Sequence, residues 1–483
     1  AHVRVMARAL QGVAMAGAAA ATASLYSPKV AHALGFDEGS ATLLGRAATL
    51  FGMKSVPREE DLELVQAQVF FRHGARAPFT DNEDAPKIWT KNLRANFTAC
   101  PSAQLIDLKS RKPLNVELKD SESEETLAGG LSKGALTASG LQMAKDLGVA
   151  LRERYVATGF VKPSNFDEEV LCRSSRVART VETVRGVVAG LVPEGKNSVQ
   201  VHVGDVGVGS AQTDWLIFST ACCPRLRALY AGAVKEWNGG NMPDAERPLV
   251  TRCEEAGLSM PGGRELRYGV INWRDGLSCR LGSGLPLFPK ISEALYMEIN
   301  ASAARQFACW FNGGRSGENQ TEALRLAHGR TLGEVLDRMG VAAVQHNAAP
   351  KLVLYGGHDV TVMPLLMMLT PKAEVGWPSY CSDLRYELWR EKAGQKRLFV
   401  RVQYGPGTHG AGKPFGDRAT VRIQRCGGQE FCELDTFKQV MGQYVVSDFD
   451  KECGLEGVKE AMRPGPGLSQ RPGEAQGGSF RQL

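Results

Sequence analysis

The chain has 483 residues, 43% hydrophobic and 23% charged, a near-average globular balance with ample length for a large core and for two or three domains. Its net charge of +6 is spread along the chain, with no run of five like charges, so charge gives no reason to expect a nucleic-acid partner. The 11 cysteines are an odd number, and no CxxC pair has zinc spacing.

Residues 1–60 read as an arm. No acid occurs before Asp37, whereas Arg4, Arg8 and Lys29 do, and Ala, Ser and Thr dominate, which is the composition of an organelle-targeting region. Residues 9–28 carry no charge and are long enough to span a bilayer, but Ala and Gly make them weakly hydrophobic. A presequence or a helix lying on a partner is the plainer expectation. The stretch SVPREEDLE, residues 55–63, reads as the linker into the folded domain.

From there one pattern occurs three times: apolar run, polar turn, amphipathic helix. LVQAQVFF leads into RHGAR; EEVLC leads into RSSR and VARTVETVRGVVAGL; KLVLY leads into GGHD and VTVMPLLMML. Strand followed by helix predicts an α/β fold with a mostly parallel central sheet flanked by helices. Ligands in such sheets sit beyond the carboxyl ends of the strands, and all three runs end in charged clusters there. Between the first and second, residues 137–159 predict a helix capped by Thr137, and between the second and third, residues 210–345 predict an inserted helical subdomain. Residues 383–391 and 396–405 read as a hairpin turning at Ala393-Gly394. Cys426 and Cys432 are close enough to bridge across a loop. The folded domain is expected over 61–455, and the Pro/Gly-rich tail, 456–483, buries no core.

The clusters suit a phosphate monoester, a dianion with three equivalent oxygens. In RHGARAP, Arg72 and Arg76 bracket His73, and the planar fork of arginine matches phosphate oxygens bidentately. Neighbouring cations keep His73 neutral and nucleophilic, and Gly74 is expected to let the backbone approach the ligand. Arg173 follows its strand directly, with Ser174, Ser175 and Arg179 beyond, and is expected to be the third phosphate arginine. In YGGHDVT, His358 is a candidate donor to phosphate and Asp359 a candidate proton donor to the leaving oxygen. Taken singly, each cluster is as well explained by a solvated loop or a helix start. The glycines of GDVGVGSAQ, residues 204–212, make no dinucleotide fingerprint, and no phosphate-binding GxxxxGK[ST] loop occurs.

The pairing of RHGxRxP with a distant HD after an apolar strand resembles the histidine acid phosphatases, over roughly residues 64–455. GALTASGLQMAKDLG and RSSRVARTVETVRGVVAGL extend the resemblance. HDVTVMPLLMML, WPSYCSDLRYELW and CGGQEFCELDTFKQVM resemble the family's mitochondrial lysophosphatidic acid phosphatase branch. The resemblance implies a phosphohistidine intermediate on His73. It implies a phosphate clamp of Arg72, Arg76, Arg173 and His358, Asp359 as general acid and then base, and no metal or cofactor. It also implies a phosphomonoester or lysophospholipid substrate. RSSR departs from the family's usual Ser-Thr after the arginine, and 201–345 matches poorly where substrate access is shaped.

A second expectation is an accessory subunit of a mitochondrial membrane complex, associated with the inner membrane through residues 1–60 and the tail, that reuses the fold. A third, a secreted phosphatase or phytase, leans on the cysteines and on the sequons at Asn96, Asn300 and Asn319, and the acid-free arm argues against it.

Overall fold

The computed structural model describes residues 57–79, 87–120, 125–193, 196–205, 212–238, 246–258, 269–345, 349–371 and 374–455. The uncharged segment 9–28, most of the expected arm and the expected tail lie outside the described residues. The last residues of the expected arm are part of the domain: Glu59 pairs with Arg154 and Arg401. Among the described residues no helix is long and apolar enough to cross a membrane.

The core is a nine-stranded sheet: β1 (Leu62–Arg72), β2 (Ser102–Asp107), β3 (Val170–Ser174), β4 (Ser198–Val203), β5 (Leu352–Gly357), β6 (Asp383–Glu391), β7 (Leu398–Gly405), β8 (Ala419–Thr420) and β9 (Cys432–Glu433). The order is β2-β4-β3-β5-β1-β6-β7-β8, with β9 beside β7. The first five are parallel to one another; β6 runs antiparallel to β1 and forms the predicted hairpin with β7. The three runs that end in charged clusters are β3, β5 and β1, neighbours at the centre. Central parallel strands are covered on both faces, so they are largely apolar, and the buried Gln68 of β1 is satisfied by Gln66 and the Val335 carbonyl. Every residue of β5 and every residue of β1 from Gln66 onward is buried.

One face is covered by α1 (Ala138–Leu151) and α2 (Ala178–Leu191), which pack on Ala67, Val69, Phe71, Leu352 and Leu354. Thr137 caps α1 by accepting from the Gly140 amide at 3.2 Å, and a π-turn, Arg152–Val156, ends it. The other face carries the helical region between β4 and β5: α3 (Pro224–Asn238), α4 (Arg247–Glu255), α5 (Gly269–Gly282), α6 (Glu293–Phe311) and α7 (Gln320–Val344). With α8 (Asp359–Leu369) these helices form one continuous apolar cluster on Phe70, Val353, Leu384 and Leu388. After β9 the described residues continue through α9 (Leu434–Gly442) and a short helical turn at Phe449–Glu452. A disulfide joins Cys223, just before α3, to Cys453, and the expected Cys426–Cys432 bridge is present.

Candidate active site

β1 delivers Arg72 to the rim of the sheet, and the next four residues turn across its carboxyl end. The His73 amide donates to the Gly357 carbonyl at 3.0 Å, tying this turn to the end of β5. The Gly74 amide donates to Thr183 of α2 at 3.1 Å. A side chain on Gly74 would meet not a ligand but the helix: its Cβ would lie 2.1 Å from the Gly140 carbonyl oxygen. Gly140 is matched to it, since its own Cβ would lie 2.0 Å from the Ala75 oxygen. Both glycines serve backbone-to-backbone packing of the RHGAR turn on α1, which corrects the expected ligand approach at Gly74.

His73 is 2% exposed. Its Nδ1 lies 2.8 Å from the Gly74 carbonyl, which can only accept, so the ring proton sits on Nδ1 and Nε2 keeps its lone pair. Burial holds His73 well below the ordinary histidine range, reinforced by Arg179, Arg72, His358 and Arg76. The ring of His358 stands edge-on, 5.5 Å away. Here Arg179 Nη2 lies 3.4 Å from Nδ1, and Nε2 donates to Ser175 at 2.8 Å. Burial and Arg179 keep this ring neutral too, outweighing the opposite pull of Asp359.

Asp359 opens α8, where the helix dipole favours an anion. Its Oδ2 lies 2.9 Å from Arg72 Nη2 and accepts from the Trp377 indole at 3.0 Å. Burial pushes the carboxyl up, but Arg72 and then Arg274 outweigh it, so Asp359 is ionised well below the usual carboxylate range. Arg72 also donates to the Pro378 carbonyl at 2.9 Å and lies over the Tyr380 ring at 4.3 Å. Arg76 pairs with Asp275 of α5 at 2.8 Å and lies over Phe79 at 4.0 Å.

The structure therefore brings together Arg72, His73, Arg76, His358 and Asp359. It does not bring Arg173 to them. Arg173 pairs across β5 with Tyr355, level with Phe70 of β1, whereas Arg72 is level with Gly357. Its guanidinium is buried beneath the rim, over the Trp215 ring at 4.8 Å, and is ion-paired with Glu334 of α7. The third arginine of the cluster is Arg179, the second residue of α2. It touches His358, faces Phe79 at 5.3 Å, and is the largest charge acting on His73. Burial, with Arg76 adding to it, outweighs the opposite pull of Asp359, Asp275 and Asp120 and pushes Arg179 down to about 9. Its placement was a usable clue, because a cation in a helix's first turn opposes the dipole and needs a compensating reason. Arg274, Asp275 and Trp377 carried no such signal.

Arg72, Arg76 and Arg179 each keep a buried Nε–H without an acceptor. Unmet buried donors are costly, and three of them on cations whose charges all act on His73 suit an anion with several oxygens; Arg173 also has unmet nitrogens but is not among those charges.

Comparison with known proteins agrees with this geometry. The family profile of the histidine phosphatase superfamily (branch 2) matches residues 63–238. The lysophosphatidic acid phosphatase type 6 of Bos taurus is 26% identical over 403 residues, 80% of this chain and 84% of the relative. The lysosomal acid phosphatase of Bos taurus is 28% identical over 387 residues, 76% of this chain and 84% of the relative. The Hafnia alvei phytase in complex with tartrate shares the fold at a TM-score of 0.55 and 16% identity, covering 82% of this chain and 99% of its own. The chain is thus similar to the histidine phosphatase superfamily (branch 2) over residues 63–238, and to acid phosphatases over most of its length.

Proposed function

We propose that the chain hydrolyses phosphomonoesters through a phosphohistidine on His73, with lysophosphatidic acid or a related lipid phosphate as substrate. The observation that carries this is the fixed tautomer of His73, which leaves an Nε2 lone pair, together with three arginines whose charges act on the ring and whose Nε–H groups lack acceptors. In the first step Nε2 attacks phosphorus, the bond to the leaving oxygen breaks, and that oxygen takes a proton from Asp359. In the second, water attacks phosphorus and gives a proton to Asp359, and the P–N electron pair returns to Nε2. Arg72, Arg76 and Arg179 hold the equatorial oxygens, and neutral His358, engaged by Ser175, contacts Arg179 beside them.

Asp359 is ionised while Arg72 is its partner, so it gains its proton when a dianionic substrate draws Arg72 away. Binding is then coupled to proton uptake, which favours acidic media. The lipid substrate rests on the relatives named for lysophosphatidic acid, as do the matching stretches at Trp377–Trp389. The test is acid-minimised phosphate trapping: the purified chain, mixed with labelled lysophosphatidic acid and quenched, should carry acid-labile, base-stable phosphate. His73→Ala should carry none and should not turn over. Phosphate release with no labelled protein at any time point, or turnover surviving in His73→Ala, refutes the proposal.

A further inference from the structure

Arg274 is supplied by α5, from the helical region, and is 2% exposed. Its Nε donates to Asn300 of α6 at 3.0 Å, its guanidinium lies 4.3 Å over the Trp377 ring, and its Nη1 is buried with no hydrogen-bond partner. The same indole donates its N–H to Asp359 at 3.0 Å, so Arg274 and Asp359 are held by opposite features of one side chain. Arg72 has Asp359 and Arg76 has Asp275 as ion-pair partners, whereas among the described residues Arg274 has no carboxylate. His409, held by Ser379 at 2.9 Å, and Tyr296 of α6 also feel Arg274 and Arg72 together.

Position decides what Arg274 can serve. The equatorial phosphate oxygens are met by Arg72, Arg76 and Arg179 around His73. Asp359 protonates the leaving oxygen, so the leaving alcohol lies on the Asp359 side, where Arg274 is. We infer that Arg274 reads the leaving group, donating to an oxygen acceptor on the carbon next to the one that bears the phosphoester. This rests on the phosphatase proposal and deepens it: monophosphates of vicinal diols are favoured over simple alkyl phosphates. A lysophospholipid with a free or esterified neighbouring oxygen carries such an acceptor.

The test compares 2-hydroxypropyl phosphate with propyl phosphate, which share a three-carbon chain and differ only in the neighbouring hydroxyl. The readout is the ratio of kcat/KM for the two substrates in the wild-type chain, Arg274→Met and Arg274→Lys, each checked for folding by thermal melting. A charge-assisted hydrogen bond of the usual strength corresponds to a wild-type preference of about tenfold or more. That preference should fall close to one in Arg274→Met and recover in part in Arg274→Lys. Equal loss on both substrates, with the ratio unchanged, overturns the inference and leaves Arg274 as a positioning residue for Asp359. A wild-type ratio near one overturns it as well. Failure of the wild-type chain on both, and on p-nitrophenyl phosphate, refutes the phosphatase proposal itself and is recognisably a different result.

Discussion

Arg179 and Arg173 stand six residues apart at the same edge of the sheet, and their predicted losses are opposite in kind. In Arg179→Met the perturbation removes the guanidinium that contacts His358 at 3.4 Å and that carries an unmet buried Nε–H. Two bonds to phosphate oxygens, at about 1.5–3 kcal/mol each, amount to about 3–6 kcal/mol, or on the order of 10²–10⁴ in kcat/KM. The same cation depresses both His73 and His358, so its removal lets both rise. The acid limb of the pH–rate profile, set by protonation of His73, should then move to higher pH. In Arg173→Met the loss falls on Glu334, which keeps Arg338 at 2.9 Å and the Trp215 indole at 2.9 Å. That substitution should lower stability by about 1–3 kcal/mol, the usual result of leaving a buried charged group short of a partner, with turnover per folded molecule retained. The assays are p-nitrophenyl phosphate kinetics from pH 4 to 8, inhibition by inorganic phosphate, and urea unfolding. If Arg173→Met abolishes phosphate inhibition while Arg179→Met keeps it, the assignment of the third arginine is wrong.

Other consequences are as direct. Gly74→Ala places a Cβ 2.1 Å from the Gly140 oxygen, an overpacking that should lower stability by at least about 1–3 kcal/mol and depress turnover by shifting His73; Gly232→Ala, in α3 with nothing within 4 Å, should be neutral or stabilising in the same unfolding assay. Burial holds His73 and His358 well below the histidine value of 6.5 and pushes His202 and His328 down to about 4. Depressed groups give stability that is complete above the unfolded value and is lost as pH falls below 6.5. For fully buried His328 the loss is on the order of 3 kcal/mol by pH 4, so urea midpoints should drop between pH 7 and pH 5. Midpoints that stay flat or rise would contradict it. The Cys223–Cys453 bridge spans 230 residues, so the double Ser variant should lose about 2–5 kcal/mol, read by the same unfolding curves.

The strand ends were legible because each central strand carries an apolar run that stops at a charged cluster. That pattern placed Arg72, His73, Arg76, His358 and Asp359 at one edge of a parallel sheet before any coordinates. What it lacked was register. Arg173 directly follows an apolar run, as Arg72 does, yet the strand continues through Ser174, and Arg173 is level with Phe70 rather than Arg72. Two residues along a strand are about 7 Å, enough to move a guanidinium from the rim to the Trp215–Glu334 pocket beneath it. Register between β3, β5 and β1 is a property of contacts far apart in sequence, and no local pattern reports it.

The helical region was legible only as helical, and the charge of the site explains why more was at stake there. Arg72, Arg76 and Arg179, set against Asp359 alone, leave two positive charges around His73, the charge of one phosphate dianion. α5 adds Asp275 and Arg274 together, one acid and one base, and so leaves that sum unchanged. What it changes is position. Asp275 anchors Arg76 by two contacts, fixing one wall of the phosphate site, while Arg274 sets an unpaired cation beside the leaving-group acid. On the proposed mechanism, the sheet and α2 supply an arginine-lined nucleophile, and α5 supplies the cation that would select which alcohol sits next to it. An exchange of residues 269–282 between this chain and a relative should therefore carry substrate preference with it and leave phosphate inhibition in place.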